Sequence, residues 1–348
     1  MAYTTIKQPS DYFNTKLYTG TGSSQAITGV DFQPDMVWIK DRTGTGYHRI
    51  NDAVRGATKE IYPNASNAEN IEPQALTSFD TDGFTVGSNN GYSQNGYNFA
   101  SWNWLANGTG SANTDGSISS TVSASATSGF SIVKYTAGSS GANTDTIGHG
   151  LGVIPQMIIL KTTTATDSWV VYHHSNGAGK SMVLNSTAAV ATNSNIFPTT
   201  PTSSVFYPGN TATTNSSSRS YIAYCFAEKQ GYSKFGIYNG VGTFPSDVTN
   251  FVYTGFKPAF IMLKQTDGES WNIVDNRRAY EYNPTGYFLY ASNSSTEGSN
   301  TTYSEMDLLS NGFCLRKAHG QYNEAGRQFI YMAFAEQPLV GDNPATAR

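Results

Sequence analysis

Pro34-Asp35-Met36-Val37-Trp38-Ile39-Lys40 returns, with changes, as Pro155-Gln156-Met157-Ile158-Ile159-Leu160-Lys161 and as Pro258-Ala259-Phe260-Ile261-Met262-Leu263-Lys264. Each copy opens on proline, runs through four apolar residues and closes on lysine. So short an apolar run, flanked by Pro and Gly and containing β-branched residues, predicts a strand covered on both faces. Proline at the first position fits, because its missing N–H falls outside the ladder.

Other landmarks keep step with the blocks. A tyrosine and a turn precede each one: Tyr18-Thr19-Gly20, Tyr135-Thr136-Ala137-Gly138 and Tyr238-Asn239-Gly240. An aromatic follows each lysine: Tyr47, Trp169 and Trp271. A turn-plus-Phe motif comes next, as Asp82-Gly83-Phe84 and Asn311-Gly312-Phe313, degenerate in the middle as Ser203-Ser204-Val205-Phe206. An aromatic run then closes each unit: Phe99–Leu105, Tyr221–Ala227 and Phe329–Ala335. In these runs Trp102 and Trp104, Tyr224 and Phe226, and Met332 and Phe334 alternate with Asn103, Cys225 and Ala333. That period of two puts large side chains on one face and small ones on the other.

Several landmarks in one order, three times, imply internal duplication. The units are residues 1–110, 111–231 and 232–348. The expected fold is all-β: three tandem β-sandwich (jelly-roll-like) repeats with little helix. The one candidate helix is Asn51–Tyr62, bounded by Gly56 and Pro63. Ile118–Val122 is expected as an added strand of unit two. The short junction at Gly231-Tyr232-Ser233 implies that units two and three pack together.

Composition agrees. Charged residues are 13 % of the chain, about half of the usual share of roughly 25 %. Gly (34), Tyr (22) and Phe (18) are abundant, which suits turns and pleated strands. The formal net charge of −4 and the lack of any Lys/Arg run exclude a nucleic-acid footprint. No apolar stretch approaches the ~18 residues of a membrane-spanning helix. The opening Met-Ala-Tyr-Thr-Thr does not read as a secretory leader, so synthesis in a cytoplasm is expected. Cys225 and Cys314 make no disulfide framework, and Cys225 reads as a small buried hydrophobe.

Groups able to do chemistry are few and scattered. His-Glu-x-x-His, Gly-x-Ser-x-Gly and Walker patterns are missing from the sequence. Gly20-Thr21-Gly22 and Gly44-Thr45-Gly46 read as hairpin turns. His173-His174 reads as one packed and one exposed ring, since neighbours on a strand face opposite ways. Asp80-Thr81-Asp82-Gly83 begins like a calcium loop, but Gly91 stands where the closing acid is needed. Glu69 and Glu72 lie in polar loops, and Asp275-Asn276-Arg277-Arg278 is expected as ion pairs on a solvated face. No catalytic residue, cofactor site or metal site is expected. The candidate contact residues are tyrosines in polar, Gly/Asn-rich stretches: Tyr92, Tyr97, Tyr207, Tyr280, Tyr282, Tyr287, Tyr290 and Tyr322.

The third unit carries Gly255-Phe256-Lys257-Pro258, Ile261–Lys264, Trp271, Asp275–Arg278, Asn311-Gly312-Phe313 and Phe329–Glu336. The first matches through Phe32–Lys40, Asp52–Gly56 and Trp102–Trp104; the middle unit departs most, with His173-His174 replacing Asp and Arg. This pattern resembles uncharacterised repeat domains of tailed-phage structural proteins of the marine-phage type. The resemblance implies a virion component of tail or fibre kind and carries over no catalytic residue. The expected function is therefore a non-enzymatic phage virion protein, either tail fibre, receptor-binding or tail-associated. The alternatives are a capsid-surface decoration protein and a carbohydrate-binding module or glycan depolymerase. Expected partners are other virion proteins, further copies of the chain as a homo-oligomer, and a host-surface glycan or receptor. Nucleic acid and membrane insertion are not expected. The expected location is the virion, assembled in the host cytoplasm.

Overall fold

The three apolar blocks form strands, Met36–Asp41, Met157–Thr162 and Phe256–Gln265. The computed structural model describes residues 4–138, 142–242, 250–278, 283, 285–299, 306–340 and 344. Among them the fold is all-β, with several antiparallel sheets, one four-residue α-helix at Asn90–Ser93 and one 3-10 turn at Pro9–Asp11. Asn51–Tyr62 is not a helix. It holds the end of one strand, a turn and the short strand Lys59–Glu60, because Asp52 caps the turn through the Arg55 N–H at 2.8 Å.

Three main sheets share one strand order. The first runs Phe13–Thr19, Asn98–Trp104, Met36–Asp41, Arg49–Asp52. Phe130–Thr136, Ser220–Phe226, Met157–Thr162 and Val170–His173 follow the same order within an eight-stranded sheet. Ser233–Asn239, Gln328–Pro338, Phe256–Gln265 and Asn272–Asp275 follow it within a six-stranded one. We call these positions lead, closing, block and return strands. Ser120–Ser125 adds an outer strand beside the second lead strand, overlapping the segment expected to do so.

The block strands are covered on both faces. Met36 and Trp38, Met157 and Ile159, and Phe260 and Met262 enter one shared core. Val37 and Ile39, Ile158 and Leu160, and Ile261 and Leu263 enter three separate cores on the opposite faces. In each separate core a lead-strand tyrosine stacks on a closing-strand ring. The pairs are Tyr18–Phe99, Tyr135–Tyr221 and Tyr238–Phe329, each with centroids 5.1 Å apart. The same tyrosines meet Phe84, Phe206 and Phe313 edge-on at 6.3, 6.2 and 5.9 Å. Those rings come from smaller sheets, and the turn-plus-Phe motif serves this contact. Gly83 and Gly312 are needed there, because a Cβ would lie 2.0 and 2.1 Å from the Ile27 and Val252 carbonyl oxygens.

The shared core gathers the closing strands. Trp104, Phe226 and Phe334 form a closed triangle, with centroid distances of 6.3, 6.0 and 5.8 Å. Each ring sits opposite a block residue, Met36, Met157 and Phe260 respectively. The seams between sheets repeat in cyclic sense. The Glu69 N–H donates to the Thr163 carbonyl at 2.9 Å, Val190 to Thr266 at 2.8 Å and Glu297 to Arg42 at 3.0 Å. Each acceptor lies two residues beyond a block lysine. The three sheets therefore close into a ring rather than a row.

The residue that follows the lysine also needs correction. His48 lies just before the return strand, as Trp169 and Trp271 do, whereas Tyr47 is largely exposed. Gly44–Gly46 joins two paired strands as a hairpin turn should. Gly20–Gly22 does not; it carries the chain from the main sheet to a smaller one.

A core shared by all three sheets predicts one cooperative unfolding transition, with calorimetric and van't Hoff enthalpies equal. Trp104→Ala should lower the unfolding free energy by about 3–5 kcal/mol, measured by denaturant titration. Separate transitions, or a loss below about 1 kcal/mol, would contradict the shared core.

Candidate functional site

The buried ionisable groups concentrate at the seams. Return strands one and three end on Asp52 and Asp275, each opposite a block residue that enters the shared core. Arg55 Nε donates to Asp52 Oδ2 and Arg278 Nε to Asp275 Oδ2, both at 2.5 Å and both fully buried. The second nitrogens, Nη2, donate to the Ile50 and Ile273 carbonyls, both at 2.9 Å. Asp275–Arg278 is thus an ion pair as expected, but it lies in the interior and not on a solvated face. It is buried because it is built to receive a neighbour. Trp102 Nε1–H donates to Asp275 Oδ2 at 2.9 Å, and the Tyr224 hydroxyl donates to Asp52 Oδ2 at 2.7 Å. Glu297 closes a further link, accepting Arg42 Nη2 at 2.7 Å and Arg278 Nη1 at 3.0 Å.

The middle sheet puts His173 at this position. Its Nε2–H donates to the Tyr331 carbonyl at 3.2 Å and its Nδ1 accepts the Ser175 N–H at 3.3 Å. The ring is held neutral, and burial, with His174 beside it, takes its pKa down to about 3. His174 is exposed, so one ring is packed and the other is not. His48 accepts Trp38 Nε1–H on Nδ1 at 2.9 Å and faces the Tyr290 backbone. Burial and the cations Lys40 and Arg278 push its pKa well below the usual value. Trp169 and Trp271 donate across the other two seams, to the Tyr62 carbonyl at 2.8 Å and the Val183 carbonyl at 2.9 Å.

The block lysines are fully buried, and each holds carbonyls of the loop that follows. Lys40 reaches Gly44 at 3.0 Å, Lys161 reaches Ala165 at 3.3 Å and Lys264 reaches Gly268 at 2.8 Å. Burial takes all three ammonium groups down to about 8. Glu60, also buried, accepts from Tyr62 at 2.5 Å, Asn70 at 2.9 Å and Arg49 at 3.2 Å, with the Tyr92 hydroxyl at 2.8 Å. Its lone pairs are spent on holding a loop. Glu69 pairs with Arg55 at 3.2 Å and Glu72 caps the Gln74 N–H at 2.9 Å, so these two carboxylates serve different partners. Asp82 accepts the Gly29 and Asp31 N–H groups, which lower its pKa. Among the described residues no group of three or more His, Cys, Asp or Glu side chains is placed to hold a metal.

The tyrosines predicted for contact divide. Tyr92 and Tyr322 are corrections, because both are buried. Their carbonyls accept the Tyr18 and Tyr238 hydroxyls at 2.8 and 2.7 Å, so they anchor loops over the separate cores. Tyr97, Tyr207, Tyr287 and Tyr290 are half-buried. Tyr280 and Tyr282 lie outside the described residues. The most exposed rings on strands are instead Phe251 and Tyr253, at 43 % and 54 %. They share one face of Asn250–Tyr253, an outer strand of a small sheet. The Phe251 ring lies over Gly312, 3.0 Å from where a Cβ would stand. The corresponding outward residues beside Ile27 are Ala26 and Thr28. The alternation of Phe251-Val252-Tyr253 was the available signal, but its apolar character resembles that of a core strand.

One family model, described as Domain of unknown function (DUF7483), matches residues 8–338. No curated protein and no solved structure matches the chain.

Two pH effects follow. Unfolded histidine binds its proton near pH 6.5 and folded His173 only near 3, so its stabilising contribution falls as pH drops between those values. From pH 7.5 to pH 5 this one residue should cost about 2 kcal/mol in urea titrations. A slope unchanged in His173→Gln would contradict it. Lysine unfolded near 10.5 and folded near 8 acts in the same direction at higher pH: stability should rise from pH 8 towards pH 10. Lys264→Met should show a smaller rise, and an equal one would dismiss the effect.

Proposed function

The chain belongs to that family over nearly its whole length, and we propose that it is a non-enzymatic structural protein of a phage particle, tail fibre, receptor-binding or tail-associated. The fold is read here as three tandem copies of one β-sandwich, jelly-roll-like unit. The repeated strand order, the three tyrosine stacks and the cyclic seam bonds support that reading. The observation that carries the function is how the reactive groups are used. Buried Asp52, Asp275, His48, His173 and the block lysines hold neighbouring chain and backbone, and the rim is left to short polar loops. A ring of three equivalent sheets suits a symmetric mount, where threefold-related surfaces meet threefold-related partners. Such proteins act as homo-oligomers beside other virion proteins, because repetition turns weak contacts into avidity.

The exposed Phe251 and Tyr253 favour a host-surface glycan or receptor as the outer partner. Aromatic faces give contact area at low entropy cost, and sugar rings stack on them. A capsid-surface decoration protein is the other outcome of the localisation experiment. Antibody labelling of purified particles should place the chain at the tail, whereas labelling of the shell would replace that assignment. Particles lacking the chain would refute the virion reading. Phe251→Ala with Tyr253→Ala should cut binding of the isolated protein to host cells at least about tenfold while leaving its fold intact. Unchanged binding would dismiss that face.

A further inference from the structure

The small sheets that cover the three separate cores can be compared position by position. Ile27, Ile147 and Val252 point inward, opposite Phe84, Phe206 and Phe313. The residues on either side of them lie on the outer face. These are Ala26 and Thr28, Thr146 and Gly148, and Phe251 and Tyr253. Large rings stand there in the third unit alone, so covering a core does not call for them. Gly312 lies directly across from Tyr253, and two carbons of the Phe251 ring lie 3.0 Å from where a Cβ on that glycine would stand. The Phe251 ring therefore leans over the sheet into the space the glycine leaves, and both rings border one bare spot. A ring held in this way loses little freedom when a ligand arrives.

A balanced ion pair stands in the same row. Across the sheet from Phe251 come Cys314 and then Asp307. Arg316 Nε donates to Asp307 Oδ2 at 2.6 Å, and the arginine side chain stays 39 % exposed. The first unit has Thr85 and Ser78 in this row, opposite Ala26. The pair adds no net charge beside the rings, which favours a neutral ligand. Its guanidinium, with five N–H donors, suits hydroxyl oxygens. Size selects the kind of ligand. With 43 % and 54 % exposed, rings of about 150–250 Å² each offer roughly 200 Å² of open surface. A stable protein interface takes about 800 Å² from each partner, so the patch is too small to hold a second copy of the chain. One or two sugar rings match it.

We infer that Phe251 and Tyr253 bind a neutral pyranose of an oligosaccharide, its C–H face stacked on the rings and its hydroxyls against the Arg316 guanidinium. The inference rests on the reading of these two rings as the outward contact and names the ligand class for it. It does not depend on where the chain sits on a particle. Contacts of this size are individually weak, and repetition of the chain supplies the strength that one site lacks.

The test is titration of the isolated full chain with cellotetraose, laminaritetraose and mannotetraose, which are neutral, and with tetragalacturonate, which is not, followed by saturation-transfer NMR. At least one neutral tetraose should bind with Kd on the order of 1 mM, and tetragalacturonate at least about tenfold more weakly. Phe251→Leu and, separately, Tyr253→Leu should each weaken the tetraose at least about fivefold, because leucine keeps apolar area but has no ring face. Phe251→Trp should keep it within about threefold, and Tyr47→Ala, an exposed ring elsewhere, should leave it unchanged. Thermal midpoints of the leucine variants should stay within about 4 °C of the parent, which separates lost binding from lost fold. Absence of binding by all three neutral tetraoses, equal binding of tetragalacturonate, or binding that survives Phe251→Leu would each overturn the assignment. Host-cell binding that needs the two rings while no tetraose binds would refute the sugar and leave the contact face standing.

Discussion

The contact on which the rest depends is the triangle of Trp104, Phe226 and Phe334. A four-stranded antiparallel sheet has two faces, and in this chain both are apolar on the block and closing strands. One face can be covered locally, by a smaller sheet that brings Phe84, Phe206 or Phe313 against the lead-strand tyrosine. The other face has no local cover. Three sheets solve the problem together by turning those faces inward, and the three rings then occupy the same small volume. Burial of large aromatic rings contributes on the order of 1.5–3 kcal/mol each, so a common centre ties the three sheets into one stability.

Closure of the ring also explains the buried polar groups. A charge removed from water must be matched, or its desolvation is uncompensated. Asp52 and Asp275 are each matched twice, by an arginine from their own turn and by a ring donor from the neighbouring sheet. The local pair makes the carboxylate tolerable in the interior, and the second donor makes it directional. His173 does the same work in the middle sheet without charge, donating to a backbone carbonyl instead. The block lysines order the loops that reach the next sheet, and these loops supply the cyclic backbone bonds.

Against so regular a frame, departures locate what is particular. The third sheet extends its closing and block strands, carries Arg277 at the position of Val54 and Ser175, and turns Phe251 and Tyr253 outward. None of these is required by the shared core, since the first two sheets close their part of the ring without them. Surface that the frame does not need is where recognition has room to develop.

Much of the fold could be read from the chain alone, because period and order are local properties. Four-residue apolar blocks meant strands with two dry faces, alternation in the closing runs meant one bulky and one small face, and the turn-plus-Phe motif meant a tight return. The structure agrees on the blocks and the turn, whereas the closing runs carry rings on both faces: Phe99, Tyr221 and Phe329 lie opposite the shared core and stack on the lead-strand tyrosines. Local pattern did not say which neighbour covers which face. Tyr47 and His48 are both rings after the lysine, and only strand pairing decides which one points inward. Tyr92 and Tyr322 sit in polar stretches yet are buried: the Tyr92 hydroxyl meets Asn51 and Glu60, which removes the penalty of burial, and the Tyr322 ring stacks on Phe288. Asp275 and Arg278 read as a surface pair because sequence shows their charges but not the tryptophan that reaches them from a distant closing strand. The sequence by itself determined the strands, their spacing and their threefold recurrence. Tertiary structure alone decided that the sheets close into a ring, because closure rests on contacts between residues more than a hundred positions apart, which no local periodicity records.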